Sequence, residues 1–257
     1  MAQPIFILGF PRSGTTLLEQ TLSGSPLISA GDELPLIHVL AAVMPQLFDS
    51  PTPYPSALSE LWMGDHLEGL DELRDVYLKR AKQLGVMTPG ARWFTDKMPL
   101  NEMHMGLIGL VFPQAPLLHV IRHPLDIMVS AMSNIFTHGG FCGSSLETAA
   151  KHLATSADMV QHYRDQMTLH YRTVRYEDMV DDQETTIRGV FQFIGAPYQP
   201  EVLSFQDNAR YARTASYQQV TERLYDRSRY RYRNYLDHLQ PAIPILEPLM
   251  EKLGYSI

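Results

Sequence analysis

Cysteine is nearly absent from this chain: one residue, Cys142, in 257. A lone thiol cannot close an intramolecular disulfide, so a disulfide-stapled scaffold is excluded and nothing calls for an oxidising compartment. Long apolar runs are missing too. Residues 36–48 and 103–112 are apolar, but a bilayer span needs about 20 such residues. Basic charge is scarce, with 21 Lys and Arg against 28 Asp and Glu, a net of −7. That argues against a nucleic-acid binder, which needs a basic face, and leaves room for a small basic pocket. The N-terminus lacks a charged leader with a small-residue cleavage site, and the ten histidines show no zinc-ligand spacing. The expectation is a soluble, cytoplasmic protein with no membrane span, no nucleic-acid partner and no metal.

Hydrophobic content of 45% and charged content of 19% are those of a globular protein. The length fits one domain over residues 1–257, with a core at about 4–239 and a tail at 240–257. Short apolar runs at residues 5–8, 93–97, 117–121 and 171–176 read as strands, and 27–30 as a strand or a turn. Helical periodicity fills the intervals: residues 15–22, 36–44, 67–84, 100–110, 124–136, 145–167 and 184–194. Ser144-x-x-Glu147 reads as the capping box of the sixth of these, and Pro35 falls in the first turn of the second. Strands alternating with helices predict a three-layer α/β fold, a largely parallel sheet covered on both faces.

Gly9-x-x-x-x-Gly14-Thr15-Thr16 follows the first strand and opens the first helix. Such a turn presents backbone N–H groups and a positive dipole end to an anion. It matches a phosphate loop except that Thr15 stands where nucleotide triphosphatases carry lysine, leaving Arg12 as the only cation in the loop. Further along, Arg122 ends a strand and Ser130 lies two turns into the next helix. A guanidinium and a hydroxyl so placed can close on one phosphate, or Arg122 can pair with Asp126 to fix its own loop. Arg12, Lys97, Arg122 and Tyr176 all fall at strand ends, where α/β folds bind ligands.

Pro11-Arg12-Ser13-Gly14-Thr15-Thr16-Leu17 and the Arg122/Ser130 pair together resemble the sulfotransferases, which use 3′-phosphoadenosine 5′-phosphosulfate (PAPS). The resemblance continues through Gly31-Asp32-Glu33, Asp96-Lys97-Met98-Pro99, Tyr176-Glu177-Asp178 and residues 213–220, in consistent order over about residues 4–239. It is nearest to the bacterial branch often fused to tetratricopeptide repeats, itself similar to tyrosylprotein sulfotransferases; no repeats occur in this chain.

The resemblance implies a P-loop-like nucleotide-binding core and transfer of a sulfuryl group from PAPS to a hydroxyl or amine, releasing 3′,5′-ADP (PAP) without Mg²⁺. By the same resemblance, Arg12, Ser13, Gly14, Thr15 and Thr16 form the 5′-phosphosulfate cradle. Arg122 and Ser130 hold the 3′-phosphate, Tyr176 lies against the adenine, and Ser216 donates to the phosphates. Arg231 approaches the 3′-phosphate with Tyr232 as its ring neighbour, although Tyr230 and Tyr232 replace the Gly and Trp common in relatives. Lys97 matches the lysine that neutralises the leaving oxygen, and Glu33 the general base, with Asp32 able to exchange roles. His104 and His119 read as structural.

Two other readings stand beside this one. The first is a nucleotide kinase or triphosphatase with a degenerate loop and Asp96 as metal ligand; the second is a non-catalytic nucleotide-binding module. The acceptor (small molecule, carbohydrate or peptide) and the oligomeric state are not legible. Residues 45–62 and 137–145 are the expected acceptor loops.

Overall fold

Every residue of β1 (Gln3–Leu8) after Gln3 is buried, as a strand covered on both faces requires. In the computed structural model, which describes residues 2–61, 64, 66–133, 144–204 and 228–257, β1 is the central strand. Around it stand β2 (Ile28–Ser29), β3 (Trp93–Asp96), β4 (Leu117–Ile121) and β5 (Tyr171–Arg175), in the order β2-β3-β1-β4-β5. All four pairings are parallel.

Alternation along β1 divides the core. Phe6 and Leu8 enter a cluster with Phe94, α2 (Leu36–Leu47), α3 (Leu67–Gln83) and α4 (Met105–Val111). Ile5 and Ile7 face the other way, onto α1 (Thr15–Leu22), α7 (Tyr176–Asp181) and α8 (Gln183–Ile194). Full burial of one such side chain contributes about 1.5–3 kcal/mol. A third cluster joins Phe10 to α5 (Pro124–Met132), α6 (Leu146–Gln166), Tyr232, the single-turn α9 (Leu236–Leu239) and α10 (Ile243–Leu253). Leu246, Leu249 and Met250 are buried there, so residues 240–257 contribute to the core. Among the described residues, no helix is long and apolar enough to cross a membrane.

The α/β layering expected from the sequence is present: a parallel sheet with helices on both faces. Several boundaries differ. The cap of α6 is Ser145, whose Oγ accepts from Thr148 N at 3.1 Å, and not Ser144; both serines precede the helix, and the buried face from Ala149 to Val160 sets the register. Pro35 is the N-cap of α2, so Asp32 and Glu33 lie in a turn ahead of the helix. Residues 99–111 divide into a 3-10 turn (Pro99–His104) and α4. β5 stops at Arg175, and Tyr176 opens α7, where Glu177 and Asp178 suit the positive helix end. α5 ends at Met132.

The helix after β1 packs on the Ile5/Ile7 face, whereas the helix after the neighbouring β3 packs on the Phe6/Leu8 face. Divergence of adjacent connections opens a crevice at the carboxyl ends of those strands.

Candidate active site

The turn from β1 into α1 lines this crevice. Gly14, at φ 109°, is the N-cap of α1 and has no side-chain cap, so the first-turn amides have no partner within the helix. A Cβ on Gly14 would lie 2.6 Å from the Tyr176 ring, so only glycine lets that ring close over the loop. Arg12 also has a left-handed backbone, φ 75°, a conformation that costs a non-glycine residue roughly 1–3 kcal/mol. It is buried, and its Nε donates to Ser130 Oγ of α5 at 2.9 Å.

Arg122, just past β4, is the second buried cation. It donates through Nη1 to Arg12 O at 3.0 Å and through Nη2 to Ser228 O, and it stacks 4.5 Å from the Tyr176 ring centroid. Its pairing with Asp126 at 3.7 Å is also present. Asp126 is shared: its two oxygens accept Tyr230 N at 2.7 Å and Tyr232 N at 2.9 Å. The structure therefore joins Arg12, Ser130, Arg122 and Tyr176 in one cluster, with Ser130 bonded to Arg12. Two buried polar atoms there, Ser13 Oγ and Arg122 Nε, have no hydrogen-bond partner among the described residues. Buried donors left unpaired are costly, so these are groups that a bound ligand would satisfy.

Behind this cluster stand residues of the Tyr176-Glu177-Asp178 and 230–232 stretches, joined by His123, Tyr255 and Ser256. Glu177 accepts His123 N at 2.9 Å and Tyr255 OH at 2.8 Å. His123 Nδ1 accepts Leu125 N, which leaves the proton on Nε2 to donate to Ser256 O at 3.1 Å. Burial pushes the His123 pKa down, in keeping with that neutral tautomer. Its ring stacks on Tyr232 at 4.2 Å. Tyr232 is thus the ring neighbour of His123, not of Arg231. Arg231 is exposed, with its guanidinium 5.7 Å from the Tyr235 ring. Tyr230 sits at φ 54°, a conformation glycine would adopt without strain.

On the other side of β1, β3 pairs in register up to Phe6–Asp96, so Lys97 leaves the sheet beside the start of the loop. Lys97 is wholly buried, and its Nζ donates to Glu33 Oε1 at 2.7 Å. The Glu33 side chain is 40% exposed, so the pair spans from interior to solvent. Asp96 takes no part in it. Its Oδ2 accepts Tyr77 OH of α3 at 2.7 Å, and burial lifts its pKa from 3.8 to about 7. An acid turned into the α3 side of the core is not placed to ligate a metal at the loop, which weighs against the triphosphatase reading.

His119 and His104 take structural places. His119 bonds Glu102 at 2.7 Å and Tyr171 at 2.5 Å, and Ser156 completes Glu102 at 3.0 Å; this cluster lines a cavity of about 120 Å³. His104 bonds Tyr54 OH at 3.0 Å, and burial lowers its pKa to about 4. Ser216, residues 213–220 and most of the 137–145 loop lie outside the described residues.

Comparison with known proteins follows the same lines. The model of the sulfotransferase family matches residues 4–200. An uncharacterized protein of Aquifex aeolicus is 31% identical over 98% of this chain, which spans 33% of that protein's length. Protein-tyrosine sulfotransferase 1 of Danio rerio is 25% identical over 98% of this chain and 72% of its own. The sulfotransferase domain of the Synechococcus PCC 7002 olefin synthase superposes with a TM-score of 0.66 at 20% identity, covering 100% of this chain and 96% of that one. With the family model matched over most of its length and the same fold around the loop, the chain belongs to the sulfotransferase family.

Proposed function

We propose that the protein moves the sulfuryl group of PAPS to a hydroxyl or amine acceptor, releasing PAP. The observation that carries this reading is a lysine-free anion loop beside two buried arginines, with Ser13 Oγ and Arg122 Nε unpaired among the described residues, and the Lys97–Glu33 pair just past the neighbouring strand β3. The donor set fits a bisphosphorylated nucleotide. Ser13 Oγ and Arg122 Nε have no hydrogen-bond partner among the described residues, and the N-terminus of α1 faces the same crevice. In this assignment Arg12, Ser13, Gly14, Thr15 and Thr16 cradle the phosphosulfate, and Arg122 and Ser130 take the 3′-phosphate. The Tyr176 ring and residues Ser216 and Arg231 complete the nucleotide contacts.

PAPS supplies a sulfuryl group on a phosphate leaving oxygen. Around it, Arg12 and the loop amides offset charge on the transferring oxygens, the type of fixed-donor stabilisation that dominates many transfers. Lys97, held without solvent contact and bonded to Glu33, offsets charge on the leaving oxygen. Glu33 accepts the acceptor's proton, so the acceptor O–H bond breaks as its bond to sulfur forms. Lys97 serves as counter-ion to Glu33 until then.

The reading is tested by calorimetric binding of PAP and ATP with and without EDTA, followed by an acceptor screen with labelled PAPS. PAP preference that ignores EDTA, with label transferred to an acceptor, is expected. ATP-selective, Mg²⁺-dependent binding would overturn it, and tight PAP binding with no turnover would make the protein a binding module.

A further inference from the structure

We infer that Glu19, acting through Thr95, is a positioning residue that mounts the Glu33 turn on the donor-binding helix. This rests on the reading of Glu33 as the base. All eight residues of α1 are buried, Glu19 completely. A carboxyl group so enclosed must be supplied with donors, and two of the donors it receives belong to the turn and to β3. Glu19 Oε1 accepts Thr95 Oγ at 2.6 Å and Asp32 N at 3.1 Å. Thr95 Oγ in turn accepts Gly31 N at 3.0 Å, and Lys97 N donates to Asp32 O at 3.0 Å.

Two of these hydrogen bonds fasten residues 31 and 32 to the end of β3, immediately before Glu33, and the two to Glu19 tie the turn and the strand to α1. The fit leaves no slack. A Cβ on Gly31 would lie 2.0 Å from Thr95 O, and Asp32 is held at φ 62°. A left-handed non-glycine backbone persists where its surroundings over-determine it, and such strain gathers at functional sites. Relaxation of the turn would move Glu33 away from Lys97 Nζ. Glu19 lies five residues along the helix whose N-terminus faces the anion crevice, so one rigid element carries both the donor contacts and the anchor of the base.

The test compares Thr95→Val, which keeps shape and removes both hydroxyl bonds, with Thr95→Ser, which restores them. Three quantities are read: PAP affinity by calorimetry, hydrogen exchange of the amides at 31–33, and kcat for PAPS turnover with the best acceptor of an alcohol and phenol panel. In Thr95→Val, kcat is expected to fall roughly 10- to 100-fold, the cost of a small misplacement of a reacting group. Its PAP affinity should stay within about threefold of the parent, and its 31–33 amides should exchange faster. Thr95→Ser should recover all of these. An unchanged kcat, a parallel loss of PAP affinity and kcat, or failure of Thr95→Ser to rescue would overturn the inference. If the parent protein binds no PAP or does not turn over PAPS, the proposed function fails. The exchange of the 31–33 amides then decides the anchoring alone: faster in Thr95→Val and restored in Thr95→Ser upholds it, and no difference overturns it.

Discussion

Replacing Asp96 with asparagine is expected to stabilise the protein above neutral pH and to leave nucleotide binding intact. Asp96 is fully buried, and burial is the largest cause of a pKa raised from 3.8 to about 7. The Tyr77 hydrogen bond and Lys97 pull it down, against a further upward push from Glu19. Between those two values the native state holds a proton that the unfolded chain has released. Stability therefore falls as pH rises through this window, with the penalty fully developed above about 7 and absent below about 4. A displacement of that size corresponds to about 4 kcal/mol, an upper figure because local relaxation and water entry reduce it. Asparagine does not titrate and can still accept Tyr77 OH. Its amide NH₂ faces Asn101, whose Nδ2 donates to Asp96 Oδ1 at 3.5 Å. Turning the Asn101 amide over brings its Oδ1, buried without a hydrogen-bond partner among the described residues, into place as the acceptor. The stability difference between Asp96→Asn and the parent should thus grow by about 1–4 kcal/mol between pH 4.5 and pH 8. Urea denaturation at several pH values measures it. A difference that is flat with pH would refute the buried-acid account, and loss of PAP binding would place Asp96 at the phosphates instead.

Glu33→Gln and Lys97→Met should each lower kcat by about 10²–10⁴, the range for a positioned proton acceptor or charge partner, with little change in PAP affinity; intact transfer in Glu33→Gln at saturating donor would remove Glu33 from the base role. Arg122→Met should weaken PAP binding by ~1–3 kcal/mol, the scale of charge-assisted hydrogen bonds, read by calorimetry; unchanged affinity would take Arg122 out of the site. Tyr255→Phe keeps the ring under Arg175 but deletes the donor to Glu177, so urea denaturation should show a loss of roughly 1.5–3 kcal/mol. An unchanged midpoint would mean that the Tyr255–Glu177 hydrogen bond contributes no stability.

The parts of the fold that were legible share one property: their signal is local. The apolar run at 117–121 coincides with β4, and residues 15–22 coincide with α1, because continuous hydrophobicity and helical period are written in consecutive residues. The anion loop was legible for the same reason, since its glycines and hydroxyls follow one another. Boundaries blurred where two adjacent residues were chemically equivalent, as with Ser144 and Ser145 ahead of α6. Glu19 left one trace in the sequence, an acid within a helix otherwise fit for burial, but its partners lie 13 and 76 residues away.

The sequence by itself determined the parallel α/β layering, the loop with threonine in place of lysine, and the set of charged residues at strand ends. Tertiary structure alone decided which of them meet. It bonded Ser130 to Arg12, turned Lys97 to Glu33 and Asp96 to Tyr77, set Tyr232 on His123, and brought Tyr255 and Ser256 behind the second arginine. The physical reason is that strand order and side-chain facing arise from packing across the sheet. Two neighbouring residues of one strand end, Asp96 and Lys97, are both fully buried yet were given opposite partners: one a tyrosine of the α3 core, the other the part-exposed Glu33.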